Sequence, residues 1–285
     1  MRKFMIRNLH PGELLKRRLD DTNFHYYLFV PDSLTASTPV FISVHGWSRN
    51  VLEHAHGYLP LAQKYKVILI APYFGRRHFP QFQQLGNSIA NGRADRVLDM
   101  ITAEVIRLTG IKKQPLYLFG YSGGGQFVHR YVMAHPQNVV RAALGAPGWY
   151  TFPDPAQGFP LGIGPNSNLS DIHFKPAAFL RIPVSIFIGE LDFNRNHHFN
   201  TSREIDKFQG TNRQERARNW VRAMTAAARA RNYETEYSLE LLANSEHSFT
   251  DCMLHGHMGE KVFNFLFGRL QPAVSRTNII AANSK

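Results

Sequence analysis

Along the chain, short apolar runs alternate with longer stretches in which apolar residues recur every three or four positions. "FHYYLFV" (24–30), "PVFISVHG" (39–46), "KVILIAP" (66–72), "PLYLFGYS" (115–122), "VVRAALGAPG" (139–148), "IPVSIFIGELD" (182–192) and "YETEYSLELL" (233–242) read as strands. Several of these runs lack polar alternation, which suits strands covered on both faces, as in a parallel sheet between helices. The helical stretches fall between them. "VLEHAHGYLPLAQKY" (51–65) is one, interrupted by Gly-Tyr-Leu-Pro, and "RADRVLDMITAEVIRLTG" places Val97, Ile101, Val105 and Leu108 on one face, with Gly110 as its C-cap. "GQFVHRYVMAHP", "RQERARNWVRAMTAAARAR" and "GEKVFNFLFGRL" complete the set.

This alternation predicts an α/β fold: a doubly wound, mostly parallel sheet of about eight strands flanked by helices, in one domain over 24–268. Residues 1–23 read as a basic segment preceding it, and 269–285 as a mobile tail. Two stretches break the rhythm. Tyr73 to Asn91 reads as an irregular aromatic loop, and Gly148 to Phe179 is too long and too rich in Gly, Pro and aromatics for an ordinary connection. The second is expected to arch over one end of the sheet, where loops after strand C-termini bind ligands in open α/β folds.

At 285 residues the chain can bury a large core, and 44% hydrophobic residues with 19% charged argue against disorder. The formal charge of +12 would attract anions. The basic residues are nevertheless dispersed, with no helix-turn-helix or zinc-finger spacing, so no specific nucleic-acid partner is expected. Cys252 is the only cysteine, which excludes an internal disulfide and CxxC-type metal or redox chemistry. The N-terminus lacks the apolar stretch of a secretory signal, and no run of about 18 apolar residues suggests a membrane span. These features lead to the expectation of a cytoplasmic protein.

The chemistry concentrates at "FGYSGGGQF" (119–127), where Gly120-Tyr121-Ser122-Gly123-Gly124 matches G-x-S-x-G between an apolar strand and an amphipathic helix. A serine on so tight a turn has a strained backbone, so its neighbours two before and two after must lack side chains. An unassisted hydroxyl is a poor nucleophile and needs a base, itself oriented by an acid. If the chain order is Ser, acid, His, Asp192 after "VSIFIGEL" is the preferred acid, with Glu190 its competitor. His247 in "NSEHSF" is the preferred base among 14 histidines. His255 and His257 are its rivals, while His197 and His198 follow Asp192 too closely. The backbone N–H groups of Gly123 and of Trp47, in the turn after His45-Gly46, are the candidate donors to a developing oxyanion. Arg76, Arg77 and His78 follow "KVILIAP" on the same sheet edge; the two arginines could hold a substrate carboxylate or phosphate, or could be an ordinary solvated cluster.

With the Gly46-Trp47 turn, the Ser122 elbow, Asp192 and His247 in order, the chain resembles the α/β-hydrolase superfamily over roughly residues 24 to 268. Its "SVHGWSRN", "GYSGGGQF" and "GELD" segments are similar to the esterase branch that includes polyhydroxybutyrate depolymerase-like and dienelactone-hydrolase-like proteins. The resemblance implies acyl transfer without metal or cofactor: Ser122 attacks an ester carbonyl, His247 carries the proton, and Asp192 holds the imidazole. Secreted depolymerases of that branch carry leaders and disulfides that this sequence lacks, so a small or oligomeric acyl substrate is expected, an anionic one if Arg76 and Arg77 hold it. A peptidase or amidase with the same groups, and a silent scaffold binding an anionic partner, are the alternatives.

Overall fold

The computed structural model describes residues 9–86, 92–165, 169–195 and 199–268. Eight strands form one sheet: β1 (Leu14–Arg18), β2 (His25–Phe29), β3 (Val40–Val44), β4 (Ile68–Pro72), β5 (Leu116–Tyr121), β6 (Val139–Gly145), β7 (Val184–Gly189) and β8 (Tyr237–Leu242). Their spatial order is β1-β2-β4-β3-β5-β6-β7-β8. The first two pairings are antiparallel and the rest parallel. The unbroken apolar runs lie where the prediction needs them, since β3, β4 and β7 are buried at every position. At the sheet's edges the pattern loosens: β1 and β8 carry partly exposed residues.

Helices cover both faces. α1 (Val51–Tyr65) and α8 (Met258–Phe267) pack together, with Tyr58 stacked on Phe263 at 5.7 Å. α1 continues through Pro60, so the Gly-Tyr-Leu-Pro stretch does not break it. α2 (Ala94–Thr109) ends at Gly110, whose φ of 68° makes the expected left-handed cap. α3 (Gly123–Ala134) packs on β5 and β6, and α6 (Arg213–Arg229) on β7 and β8.

Outside the 148–179 excursion, one strand and two α-helices were not predicted. β1 lies inside the 1–23 segment, so the sheet begins at Leu14 rather than after residue 23; its basic "LLKRR" suits an edge strand, and its register is set by pairing with β2. The short helices α5 (Arg203–Gln209) and α7 (Phe249–Leu254) owe their starts to Ser202 and Ser248, which accept hydrogen bonds from Ile205 N and Asp251 N. The expected tail, 269–285, lies outside the described residues.

The 148–179 excursion is largely irregular, with one short helix, α4 (Pro176–Phe179), at its end. Buried side chains hold its first residues. Thr151 donates its N–H to His129 Nε2 (2.9 Å), accepts from Trp220 Nε1 on its carbonyl (2.8 Å) and from Arg130 Nε on its hydroxyl (2.9 Å). One wall beside the sheet's C-terminal edge is thereby fixed to α3 and α6.

Candidate active site

The chain passes from β5 to α3 through Ser122, at φ 52° and ψ −112°. This left-handed backbone costs energy for a residue with a side chain, and it persists because the surroundings overdetermine it. Ser122 donates its N–H to Gly145 O at 2.6 Å. A Cβ on Gly120 would collide with the Gly124 carbonyl and lie 2.8 Å from Gly125 N. One on Gly124 would collide with Val44 O and lie 2.6 Å from His45 O. The glycines are missing side chains that let β3, β5 and α3 close around the serine.

The two side chains expected to serve it converge there. His247, in the loop between β8 and α7, places Nε2 3.1 Å from Ser122 Oγ and Nδ1 2.8 Å from Asp192 Oδ2. Asp192, just beyond β7, is 1% exposed. A carboxylate on Nδ1 fixes the imidazole so that Nε2 can accept the serine proton. The competitors lie elsewhere. Glu190 accepts a hydrogen bond from Asn244 N (2.9 Å), bracing the loop that carries His247. His255 and His257 are exposed, at the C-cap of α7 and the N-cap of α8. His197 and His198 lie outside the described residues.

The turn after β3 meets the elbow from the other side. A Cβ on Gly123 would lie 3.3 Å from the Trp47 nitrogen, so these two backbone N–H groups are neighbours. His45, fully buried, controls that turn. Phe74 N–H donates to its Nε2 (2.9 Å), which places the ring proton on Nδ1 for donation to Gly46 O (2.9 Å). The Gly46 carbonyl and the Trp47 N–H belong to one planar peptide, so holding the first aims the second the opposite way. Burial pushes the His45 pKa down to about 4, leaving the ring neutral and able to play both parts near pH 7. Arg49 adds a brace, donating from Nη1 to Trp47 O (2.7 Å) and from Nε to Phe74 O (3.0 Å).

Around Ser122 lies a cleft of about 590 Å³, walled by Trp47, Gln83, Gln126, Trp149 and Phe249 among others. Arg76 and Arg77 do not border it. They are exposed and line a separate hollow of about 450 Å³ with Asn23, Tyr73 and His78. Of the two readings of this pair, a substrate clamp or a solvated cluster, the loop's own packing fits the second. Phe74 and Phe79 turn inward on either side, and Phe79 N–H closes the turn on Gly75 O (2.9 Å), leaving the arginines at the tip.

No family model matches the sequence, and no curated protein matches it. Solved structures do match. Poly(aspartic acid) hydrolase-1 from Sphingomonas sp. KT-1 superposes with a TM-score of 0.74 at 25% identity, over 91% of this chain and all of that one. The poly(3-hydroxybutyrate) depolymerase LpqC from Bordetella parapertussis gives 0.73 at 23% identity, over 93% of both chains. The chain has the α/β-hydrolase fold. A more distant example is FphF, a fluorophosphonate-binding serine hydrolase of Staphylococcus aureus, with a TM-score of 0.58 at 12% identity over 92% of this chain.

Within this α/β-hydrolase fold, one group at the site has no counterpart among the sequence expectations. Arg213, the first residue of α6, donates from Nη1 to Asp192 Oδ1 (3.0 Å) and to Asn194 O (2.9 Å). Asp192 therefore presents Oδ2 to His247 while Oδ1 is held from behind. Gln214 donates from Nε2 to Gly189 O and Glu190 O, both at 3.1 Å, and Arg216 from Nη1 to Gly148 O at 2.7 Å. The start of one helix thus grips both the acid's loop and the cleft wall. No local motif marks these residues, because their partners lie 19 to 68 positions away.

Proposed function

We propose that the protein is a serine hydrolase that cleaves carboxylic esters through an acyl-enzyme on Ser122. The observation that carries this reading is the continuous hydrogen-bonded row from Ser122 Oγ through His247 to Asp192, with steps of 3.1 and 2.8 Å, opening on a cleft. The fold and its likeness to a depolymerase and a serine hydrolase support it.

In this mechanism Ser122 Oγ attacks the ester carbonyl carbon as its proton passes to His247 Nε2. The carbonyl oxygen, now negative, receives hydrogen bonds from the N–H groups of Gly123 and Trp47, the latter aimed by His45. The bond to the alcohol oxygen breaks, and His247 returns the proton to that oxygen. Water then repeats the attack on the acyl-serine, giving up its proton to His247, and releases the acid and the free hydroxyl. Asp192 holds the imidazole in position throughout. The α3 N-terminus behind Gly123 adds a favourable dipole for the negative oxygen.

The same groups can cleave an amide, and one observation favours this second reading: the structure matched at TM-score 0.74 is a hydrolase of poly(aspartic acid), whose units are joined by amide bonds. A cytoplasmic setting, compatible with the single buried Cys252, belongs to the same proposal.

A fluorophosphonate probe and a series of p-nitrophenyl esters test it. Labelling and turnover are expected in the parent, with both lost in Ser122→Ala by about 10⁴-fold or more in kcat. Equal turnover in parent and variant would remove Ser122 from the reaction.

A further inference from the structure

Two guanidinium groups stand at the cleft, and neither is the pair suggested by sequence. Arg213 lines it beside Ser122 and His247. Its Nη1 is committed to Asp192 and Asn194, its plane lies 4.8 Å over the Phe199 ring, and its Nη2 is committed to none of the described residues. Arg130 lies directly beneath the cleft lining, fully buried. It donates from Nη1 to Gln83 O (2.6 Å) and Gln126 O (3.3 Å) and stacks under Trp149 at 4.3 Å, and all three of these residues line the cleft.

Arg130 is unusual in what it lacks. No carboxylate among the described residues pairs with it, and its Nη2 is buried with no hydrogen-bond partner among them. Burial pulls its pKa down to about 9, which still leaves it charged at neutral pH. An unpaired buried cation costs several kcal/mol relative to an apolar side chain, so its field, undamped by solvent, is a standing feature of the cleft floor. The carboxylate on the cleft lining is Glu53, which already accepts from Thr250 Oγ1 (2.6 Å) and Asn50 Nδ2 (3.1 Å). Asp192 is paired with Arg213 and hydrogen-bonded to His247.

We infer that the cleft selects esters carrying a second carboxylate close to the scissile bond, received by Arg213 Nη2 over the positive floor made by Arg130. This rests on the serine-hydrolase reading and adds the substrate class. Arg213 then has two tasks, because the guanidinium that orders Asp192 also meets the substrate. A planar guanidinium can do both, since its N–H groups fan out in fixed directions.

The test compares charged and neutral versions of the same ester on the full chain. Mono-p-nitrophenyl succinate carries the carboxylate on the acyl half and O-acetyl-4-hydroxybutyrate on the alcohol half; each is paired with its methyl ester. In at least one pair, kcat/KM is expected to favour the charged form by roughly tenfold, a typical value for one charge-assisted contact. Arg213→Met should bring that ratio to about one, chiefly through KM, while Arg213→Lys restores part of it. Salt should lower the ratio in the parent only modestly, because Arg130 is shielded from solvent, and should leave the ratio of Arg213→Met unchanged.

A merely structural Arg213 would lower both members of a pair equally, and that outcome overturns the assignment. So does a parent that labels with fluorophosphonate yet prefers the neutral ester in both pairs. A parent that neither labels nor hydrolyses any of the four overturns the serine-hydrolase reading itself.

Discussion

The two sides of the site are built by opposite means. On the nucleophile side, Ser122 is held by what is absent: Gly120 and Gly124 leave room for backbone to approach backbone, and the turn from His45 to Trp47 closes against the elbow. On the acid side, Asp192 is held by what is added: Arg213 and Gln214 reach from the start of α6 to its carboxylate and its loop. The first kind of constraint is steric and tolerates almost no substitution. The second is a set of polar contacts that can be weakened one at a time. Precision at the two ends of the proton path therefore has different failure modes.

Gly124→Ala attacks the steric side most directly. Its Cβ would meet the backbone oxygens of Val44 and His45, which have no side-chain freedom to give way. We expect a loss of at least about 3 kcal/mol in unfolding free energy, with turnover gone, because overpacking against fixed backbone lies at the severe end of such changes. A urea titration with retained ester hydrolysis would contradict this.

Acid should also strike the nucleophile side first. Burial depresses the pKa of His45 from 6.5 to about 4 and holds those of His54 and His129 well below 6.5. Between pH 6.5 and 4 the unfolded chain takes up a proton on His45 and the folded chain does not, and the other two rings act in the same direction, so stability falls as pH drops. His45 alone contributes a slope of about 1.4 kcal/mol per pH unit, measured from urea midpoints at a series of pH values. A stability that stays flat to pH 4.5 would mean the rings are charged when folded.

His45→Gln separates position from packing. The amide can still accept from Phe74 N–H or donate to Gly46 O, but it cannot reproduce both contacts with the ring's geometry. We expect kcat to fall about 10- to 100-fold with KM little changed, somewhat less than the loss of an oxyanion donor itself. Equal changes in kcat and KM would point to a general disturbance of the cleft. Gln214→Ala should do least. It removes two neutral contacts to Gly189 O and Glu190 O while Arg213 remains on Asp192, so about 1 kcal/mol of stability and a few-fold in kcat are expected. A loss as large as that of Gly124→Ala would erase the contrast between the two sides.

The same contrast explains what could be read from the chain alone. G-x-S-x-G between a strand and a helix is a local steric statement, and so are the uninterrupted apolar runs of β3, β4 and β7; the elbow and the sheet were legible for that reason. Asp192 and His247 were found by their order along the chain, and the structure brings both within hydrogen-bond reach of the row that starts at Ser122. Arg213 and Arg130 were not legible, because an arginine in a helix looks like any solvated charge until the fold buries it. For Arg76 and Arg77 the sequence left a clamp and a solvated cluster open, and the fold fits the cluster. They share a sheet edge with Ser122, but the inward packing of Phe74 and Phe79 sends them to another hollow. β1 was missed because its basic strand pairs only with β2, a contact no local pattern announces.

The central claim is that Ser122 Oγ carries the acyl group. Mixing the protein with p-nitrophenyl acetate, quenching in acid within the first turnover and mapping the peptides by mass spectrometry tests it directly. The account predicts a burst of nitrophenolate matched by an acetyl group on the peptide containing Ser122, absent from Ser122→Ala. A stoichiometric acetyl group on another residue, with turnover unchanged in that variant, would contradict it.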